Sequence, residues 1–182
     1  GGSEFVLSAR FSLPYSLWNG VDYANLGDLE KFQDDDGNPD PAKIEQEKFK
    51  WLEFYKIKFK GSWYTRLFDK LVLRTHTEFG FLGAFNNDRG VIPFDRFFLG
   101  GDGMSQYAMD GRETISLRGY PNQSLSSQDG STIYNRFSLE LRYPITLKPA
   151  ASIFGLTFME TGQGYNNFRE FNPFNGKRSV GL

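Results

Sequence analysis

The sequence predicts an all-β protein, with antiparallel strands of the kind that form a transmembrane β-barrel. The first observation is a period-two alternation of apolar and polar residues along several runs. The second is composition, because aromatic residues make up 17% of the 182 residues and yet the mean hydropathy is -0.48. Many aromatic side chains in a polar chain indicate strands with one apolar and one polar side.

Four runs alternate over most of their length, and two further runs are less regular. In one regular run Arg74, His76 and Glu78 share the polar side, and in another Glu140 lies on the polar side. The irregular run that ends near Glu160 is apolar on both sides before that residue. The regular runs are residues 3–14, 49–63, 70–81 and 136–144, and the irregular ones are residues 151–161 and 177–182.

A third observation is that the connections between the runs alternate in length. Outer-membrane barrels have long extracellular loops and short periplasmic turns. We therefore treat residues 1–182 as one partial barrel domain. Its predicted extracellular loops are residues 14–47, 86–132 and 163–176, and its predicted short turns are residues 63–69 and 144–149.

A soluble antiparallel sandwich with one buried face is the main alternative fold. Two features favour the membrane barrel. The polar sides carry the dense charge typical of a lumen, and aromatic residues gather near the ends of the predicted strands, as an interfacial girdle would. These aromatic residues are Trp51, Trp63, Tyr64, Phe68 and Tyr143.

Five complete strands do not close a barrel on their own, since membrane barrels begin at about eight strands. An open sheet edge is also not tolerated in lipid. The sequence is therefore expected to be a segment of a longer protein, or one of several chains that complete a barrel together. The abrupt start and the short last run favour the segment.

Composition and charge argue against several other classes of protein. The net charge of -1 gives no electrostatic case for binding nucleic acid. Because the chain has no cysteine, disulfides and cysteine-based metal sites are impossible. The first ten residues lack a basic and an apolar region, so no signal peptide is predicted, and no run has the length of a membrane helix.

Three motifs, in order along the chain, carry a resemblance to a known family. The first is the pair Gly100–Gly101 followed by Leu117–Arg118–Gly119–Tyr120. The second is Glu140 in an alternating run before a proline, and the third is Glu160 two residues before a glycine. Together they resemble the sixth extracellular loop and the next two strands of the BamA-type outer-membrane insertases. Leu117 stands where that family usually has Val, and residues 102–114 form a longer insertion than usual.

The resemblance implies a fold, a function and a set of site residues. The chain would supply about strands nine to fourteen of a sixteen-stranded barrel that follows periplasmic POTRA repeats. Arg118 would reach down to Glu140 and Glu160 on the lumen wall. The implied function is folding and insertion of β-barrel proteins in the Gram-negative outer membrane, with unfolded barrel proteins, accessory lipoproteins and membrane lipid as partners. No enzymatic activity, metal or cofactor is implied.

Other functions stay open at this point. Translocation and assembly factors and two-partner secretion transporters share the same loop motif. A passive anion-preferring porin would use a row of lysines along one predicted strand, although such a row also fits a solvated strand face. The row consists of Lys48, Lys50, Lys56, Lys58 and Lys60.

Catalytic and metal-binding interpretations are less favoured by the sequence. His76 is the single histidine, and a lone strand histidine is more often a lumen or surface residue than a catalyst. The acidic stretch at residues 34–40 lacks the spacing of a calcium loop. Glu140 and Glu160 could form a glycosidase pair, but the salt-bridge role explains them better. The glycines at residues 100–103 lack the βαβ context of a dinucleotide site.

Overall fold

A computed structural model describes residues 1–102, 112–148 and 151–182 of the chain. It contains the strands β1 (Gly2–Phe11), β2 (Tyr55–Phe68), β3 (Leu71–Gly83), β4 (Phe97–Leu99), β5 (Glu113–Ile115), β6 (Ile133–Lys148), β7 (Ala151–Tyr165) and β8 (Lys177–Gly181), the helix α1 (Pro41–Phe49), and 3-10 turns at Tyr15–Leu17, Leu26–Asp28, Glu30–Phe32 and Phe168–Glu170. Within these described ranges, no helix has the length and apolar character needed to cross a membrane.

Six of the strands form one sheet in the order β1-β2-β3-β6-β7-β8. β3 pairs with β6, β6 with β7, and β7 with β8, and all three pairings are antiparallel. The predicted all-β fold, an antiparallel partial barrel, is therefore confirmed. The β6–β7 ladder contains one register shift, between Pro144 and Thr146, which accommodates a proline that cannot donate to the ladder.

A second, two-stranded sheet lies in the connection from β3 to β6. β4 and β5 pair in parallel, with Phe97 opposite Glu113. Phe97 also exchanges both backbone hydrogen bonds with Ser131, at 2.9 and 2.8 Å. Its ring is fully buried and meets the ring of Tyr134 on β6 edge-to-face, with 4.6 Å between the ring centroids. These contacts fasten the small sheet to the start of β6.

Burial on the large sheet is the reverse of that in a soluble protein. The side chains of one face are polar and buried, and we call this side the polar face; its central residues are Ser62, His76, Glu78, Ser138, Glu140 and Glu160. Alternate residues on the same strands are apolar and exposed, among them Leu67, Leu139, Leu141, Met159 and Val180. A polar face that is covered and an apolar face that is bare indicate a sheet whose apolar side lies in lipid.

The chain divides into two compact units. Unit 1 comprises residues 1–8, 57–81 and 94–182, and unit 2 comprises residues 9–56 and 82–93. Unit 1 contains the polar face and the small sheet. Unit 2 has a separate apolar core of Tyr23, Leu26 and Phe32.

Unit 2 is also held by two buried charged side chains. Glu53 is fully buried and accepts hydrogen bonds from the amide and the hydroxyl of Ser16, at 2.7 and 2.5 Å. Arg89 is 2% exposed and donates to the backbone carbonyls of Glu53 and Trp51. The bonds from Arg89 satisfy two backbone carbonyls of the irregular segment between α1 and β2, which has no ladder to satisfy them.

The prediction that a strand runs through residues 49–54 is wrong. α1 extends to Phe49 and β2 begins at Tyr55, so Trp51 lies outside the strands. The helix begins where it does because Pro41 stands in its first turn and the carboxylate of Asp40 accepts from the amides of residues 42 and 43, at 2.9 and 3.3 Å. Lys48 and Lys50 therefore do not belong to a strand row.

Both predicted short turns are shorter than expected. β2 continues to Phe68, and the chain reverses at Asp69, whose φ of 44° is in the left-handed region. β6 continues through Pro144 to Lys148 and β7 begins at Ala151, so most of the second predicted turn belongs to a strand; residues 149–150 lie outside the described residues. Most of the predicted insertion at residues 102–114, namely residues 103–111, also lies outside them.

Gly80 on β3 provides a test of this packing. A Cβ at Gly80 would collide with the ring of Tyr134, its cross-strand neighbour, and would lie 2.9 Å from the ring of Phe97. Because both rings are fully buried, we expect Gly80→Ala to lower the free energy of unfolding by about 1–3 kcal/mol, as overpacking does. Urea unfolding of the protein in detergent micelles measures this.

The matched control is Gly155→Ala on β7, where the nearest atom to a new Cβ is Ile145 Cδ1 at 3.9 Å. This change should leave the free energy of unfolding within about 0.5 kcal/mol of the starting value. Equal effects at the two glycines would contradict the packing of Tyr134 described above.

Candidate functional site

Arg118 lies in the loop of residues 94–132, hereafter the Arg118 loop, and its guanidinium contacts two carboxylates on the polar face. Nε and Nη2 donate to Oε1 of Glu160, at 2.9 and 2.5 Å. Nη2 also donates to Oε1 of Glu140, at 2.5 Å. The backbone amide of Arg118 donates to the second oxygen of Glu160, at 3.0 Å. The structure thus brings together the three charged residues singled out from the sequence.

Two neighbouring strands position the carboxylates. Glu140 on β6 pairs with Phe158 on β7, and Ser138 pairs with Glu160. The two acids are therefore diagonal neighbours on the same face, within reach of a single guanidinium. The Arg118 guanidinium also lies over the ring of Phe158, with 3.8 Å from Cζ to the ring centroid, which adds a cation–π contact.

The glycine pair Gly100–Gly101 lies at the base of the Arg118 loop, and both residues have φ of 114°. The amide of Gly100 donates to the carbonyl of Ile115 and the amide of Gly101 to the carbonyl of Tyr120, each at 3.0 Å. Leu117 forms a bridge with Gly101 and is 1% exposed. Backbone hydrogen bonds on either side of Arg118 thus join the two halves of the loop.

Gly119 and Tyr120 bring the loop against β8. Gly119 has φ of 87°, and a Cβ there would lie 3.2 Å from Cβ of Ser179. Both the backbone conformation and the close approach favour glycine. The hydroxyl of Tyr120 donates to the carbonyl of Arg178 at 2.8 Å. The motif residues therefore reach past the two acids to the last strand of the sheet.

Strand arginines extend the ion pairs beyond the loop. Arg136 donates to Glu160 at 2.9 Å and to Glu78 at 3.4 Å, so it bridges two acids. Arg74 and Arg142 both donate to Glu140, at 3.3 and 2.6 Å. We call this set the polar network; it consists of Ser62, Arg74, His76, Glu78, Arg118, Arg136, Ser138, Glu140, Arg142 and Glu160.

His76 has a role that sequence reasoning missed. Its Nδ1 lies 2.7 Å from the hydroxyl of Ser62, and its Nε2 lies 2.7 Å from a carboxylate oxygen of Glu78. All three side chains are at most 8% exposed. The alternation placed His76 and Glu78 on one side of their strand. Ser62 lies on another strand, and the sequence does not show which residues of the two strands are paired. The imidazole links β2 to the ion pairs of β3 and β6.

The carboxylates around Arg118 stabilise its positive charge. Burial disfavours the charged guanidinium, but the hydrogen bonds and charges of Glu160 and Glu140 outweigh burial and raise the pKa of Arg118 above its ordinary value. Arg118 therefore stays charged under all conditions in which the two acids are ionised. The arrangement is suited to fastening a loop, because a planar fork engages two carboxylates at once.

Metal and anion sites receive little support from the side chains. Within residues 1–102, 112–148 and 151–182, no group of three or more histidine or acidic side chains could hold a metal ion. The lysines on β2 are closely associated with other groups: Lys56 is 1% exposed, Lys58 pairs with Glu113 at 2.7 Å, and Lys60 lies 3.8 Å from Glu78. Lysines that are paired in this way add little to an anion-attracting surface.

The fork geometry at Arg118 leads to a testable difference between arginine and lysine. Lysine keeps the positive charge but cannot engage Glu140 and Glu160 at the same time. We expect Arg118→Lys to lower the free energy of unfolding by about 2–3 kcal/mol, the cost of losing a charged hydrogen bond at a buried acid. Urea unfolding in detergent micelles is the measurement.

Arg142→Lys is the control, since Arg142 contacts the same Glu140 with a side chain that is 36% exposed. It should cost less than about 1 kcal/mol. If Arg142→Lys lowers the free energy of unfolding as much as Arg118→Lys does, the contact of the loop with the acids stabilises the protein no more than a partly exposed ion pair does.

A comparison with known protein families agrees with this fold. The model of the Omp85 superfamily domain matches residues 42–181, which include the polar face, the Arg118 loop and both of its acidic partners. A comparison with curated proteins gives no significant match. Since the family match covers most of the 182 residues, the chain belongs to the Omp85 superfamily.

Proposed function

We propose that this chain is part of a BamA-type assembly factor, which folds and inserts β-barrel proteins into the outer membrane. Membership of the Omp85 superfamily supports a function in outer-membrane protein assembly or related transport. The observation that carries the proposal is the docking of Arg118 on Glu140 and Glu160, with bonds of 2.5 to 3.0 Å. It supports a member of this superfamily with a docked loop, and the narrower BamA-type assignment rests on the resemblance. In the resemblance described above, that loop folds into the barrel and meets the same acids.

In this proposal the polar face lines the lumen and the exposed apolar side chains face lipid. The six strands of the large sheet would be about strands nine to fourteen of sixteen. The long connections would be extracellular, and the protein would be integral to the outer membrane. In the family that the chain resembles, incoming strands pair with a weak seam between the first and last barrel strands, whose edges offer unpaired backbone groups. This segment would not contain that seam.

The contribution of this segment is a rigid wall with a loop fixed across it. Arg118 joins acids on β6 and β7, while Tyr120 reaches β8. A loop fixed to three strands resists their separation, so any opening of the barrel would be confined to strands elsewhere. The partners of the whole protein would be unfolded barrel proteins, accessory lipoproteins and membrane lipid.

The proposal includes no enzymatic chemistry and no cofactor. A serine hydroxyl, an imidazole and a carboxylate lie in hydrogen-bonded order at Ser62, His76 and Glu78, as in a nucleophile–base–acid triad. Ser62, however, is only 6% exposed. A nucleophile has to reach its substrate within hydrogen-bonding distance. We therefore assign these three residues to holding β2 and β3 together.

A secretion transporter or a translocation and assembly factor of the same superfamily is the second candidate, since it would use the same loop motif. A passive anion-preferring porin is less favoured, because Lys58 is paired with Glu113 and Lys56 is buried. These candidates differ in what they do to an added protein. An assembly factor speeds the folding of a barrel protein, whereas a porin gives a steady ion current.

The test uses the full-length protein that contains this chain, reconstituted in liposomes together with any accessory lipoproteins that co-purify with it. A urea-unfolded eight-stranded barrel protein is added. Its folding is followed by gel electrophoresis of unheated samples, in which the folded and the unfolded barrel protein migrate differently. We expect the unmodified protein to accelerate folding and Arg118→Lys to reduce that acceleration by about tenfold or more, since the loss of about 2–3 kcal/mol expected above exceeds the roughly 1.4 kcal/mol that corresponds to tenfold in population.

Arg66→Lys is the control, because Arg66 is exposed and lies outside the polar network. It should leave the rate of client folding unchanged. If the unmodified protein does not accelerate folding but conducts ions, and Lys60→Gln alters that current, the assembly function is wrong and the porin is supported.

A further inference from the structure

A second ion pair joins the Arg118 loop to the sheet on the side away from Glu140 and Glu160. Nζ of Lys58 on β2 lies 2.7 Å from Oε1 of Glu113 on β5. The two side chains are 24% and 26% exposed. Glu113 lies opposite the fully buried Phe97 in the small sheet. The pair therefore links a packed part of the loop to a strand that Arg118 does not touch.

The Lys58–Glu113 ion pair and the hydrogen bond of Tyr120 lie at opposite ends of a short segment. Residues 113–120 begin at the contact with β2 and end where Tyr120 donates to the carbonyl of Arg178 on β8. The contacts at its two ends lie on strands separated by four strand spacings in the sheet order, β2 and β8. Between them the amide of Gly100 donates to the carbonyl of Ile115 at 3.0 Å, and the amide of Tyr120 donates to the carbonyl of Leu117 at 3.4 Å, which closes a turn at residues 117–120. The segment is therefore held along its length by backbone hydrogen bonds.

We infer that Lys58 and Glu113 form a second anchor, so that residues 113–120 act as a brace fixed at both ends across the polar face. Arg118 anchors the end near β7, and Lys58 is the positioning residue for the end near β2. The structural part of this inference is independent of the proposed assembly function. Its functional part, that both anchors are needed for client folding, rests on that function.

Lys60 shows why Lys58 is singled out from the next lysine along β2. The side chain of Lys60 is 46% exposed and its ammonium lies 3.8 Å from Glu78, whereas the Lys58 pair is shorter, at 2.7 Å, and its lysine is 24% exposed. Screening by solvent weakens exposed pairs much more than half-buried ones. Because the longer Lys60 pair and the shorter Lys58 pair lie on the same strand, substitutions of the two lysines can be compared directly.

The experiment measures amide hydrogen exchange at both ends of the brace in the full-length protein. The amide of Gly100 reports the near end, because it donates to the carbonyl of Ile115 next to the Lys58 anchor, and the amide of Arg118 reports the far end. The variants are Lys58→Gln, Lys58→Glu, Glu113→Lys and the charge-swapped double variant Lys58→Glu/Glu113→Lys. Lys60→Gln is the control.

We expect Lys58→Gln and Lys58→Glu to accelerate exchange at Gly100, the latter by about tenfold or more, because local opening is governed by the contacts that hold the segment. The acceleration at Arg118 should be smaller. The charge-swapped variant should restore slow exchange at Gly100, and Lys60→Gln should not alter it. If the charge-swapped variant restores slow exchange at Gly100, the single variants act by breaking this ion pair and not by lowering the stability of the whole protein.

Two results would overturn the inference. One is unchanged exchange at Gly100 in Lys58→Glu, and the other is a swapped variant that exchanges as fast as either single variant. The client-folding assay on the same variants is scored separately. If the unmodified protein accelerates no client folding, the assembly function fails while the exchange data still decide whether the brace has two anchors.

Discussion

The structure depends on the neutralisation of buried carboxylates on one face of the sheet. Strand alternation places Glu78, Glu140 and Glu160 on that face, and each is at most 5% exposed. A buried carboxylate is costly unless cations and hydrogen bonds surround it. Arg136, on a strand, serves two of these acids, but Glu160 also needs Arg118, which only the loop supplies. The loop is therefore part of the fold, not an addition to it.

This requirement explains the local chemistry of the Arg118 loop. To deliver a guanidinium to two acids, the backbone has to approach the sheet closely, and Gly119 permits that approach beside Ser179. The backbone then has to be held there, which the amide of Arg118 on Glu160 and the hydroxyl of Tyr120 achieve. A segment fixed in this way couples neighbouring strands, and such coupling is what a barrel wall needs if another part of it opens.

Sequence reasoning predicted the parts of this arrangement that follow from alternation and from the family resemblance. The buried side of Glu140 follows from period two, and the pairing of Arg118 with two acids follows from the motif. It missed α1, because residues 41–47 fall in the long polar connection, rich in turn residues, that was predicted to be a loop, and the Asp-Pro start signal within it was not used. It could not find Ser62 beside His76, nor Lys58 beside Glu113, since contacts between residues 14 and 55 positions apart depend on strand register and loop path.

The docking of the Arg118 loop is tested most directly by hydrogen exchange at the backbone amide of Arg118 in the unmodified protein, in lipid nanodiscs. That amide donates to the fully buried carboxylate of Glu160 at 3.0 Å. We predict exchange at least about tenfold slower than the rate of an unprotected amide, which corresponds to roughly 1.4 kcal/mol of protection. Exchange at the unprotected rate would mean that the loop is not docked on the acids, and the central claim would be wrong.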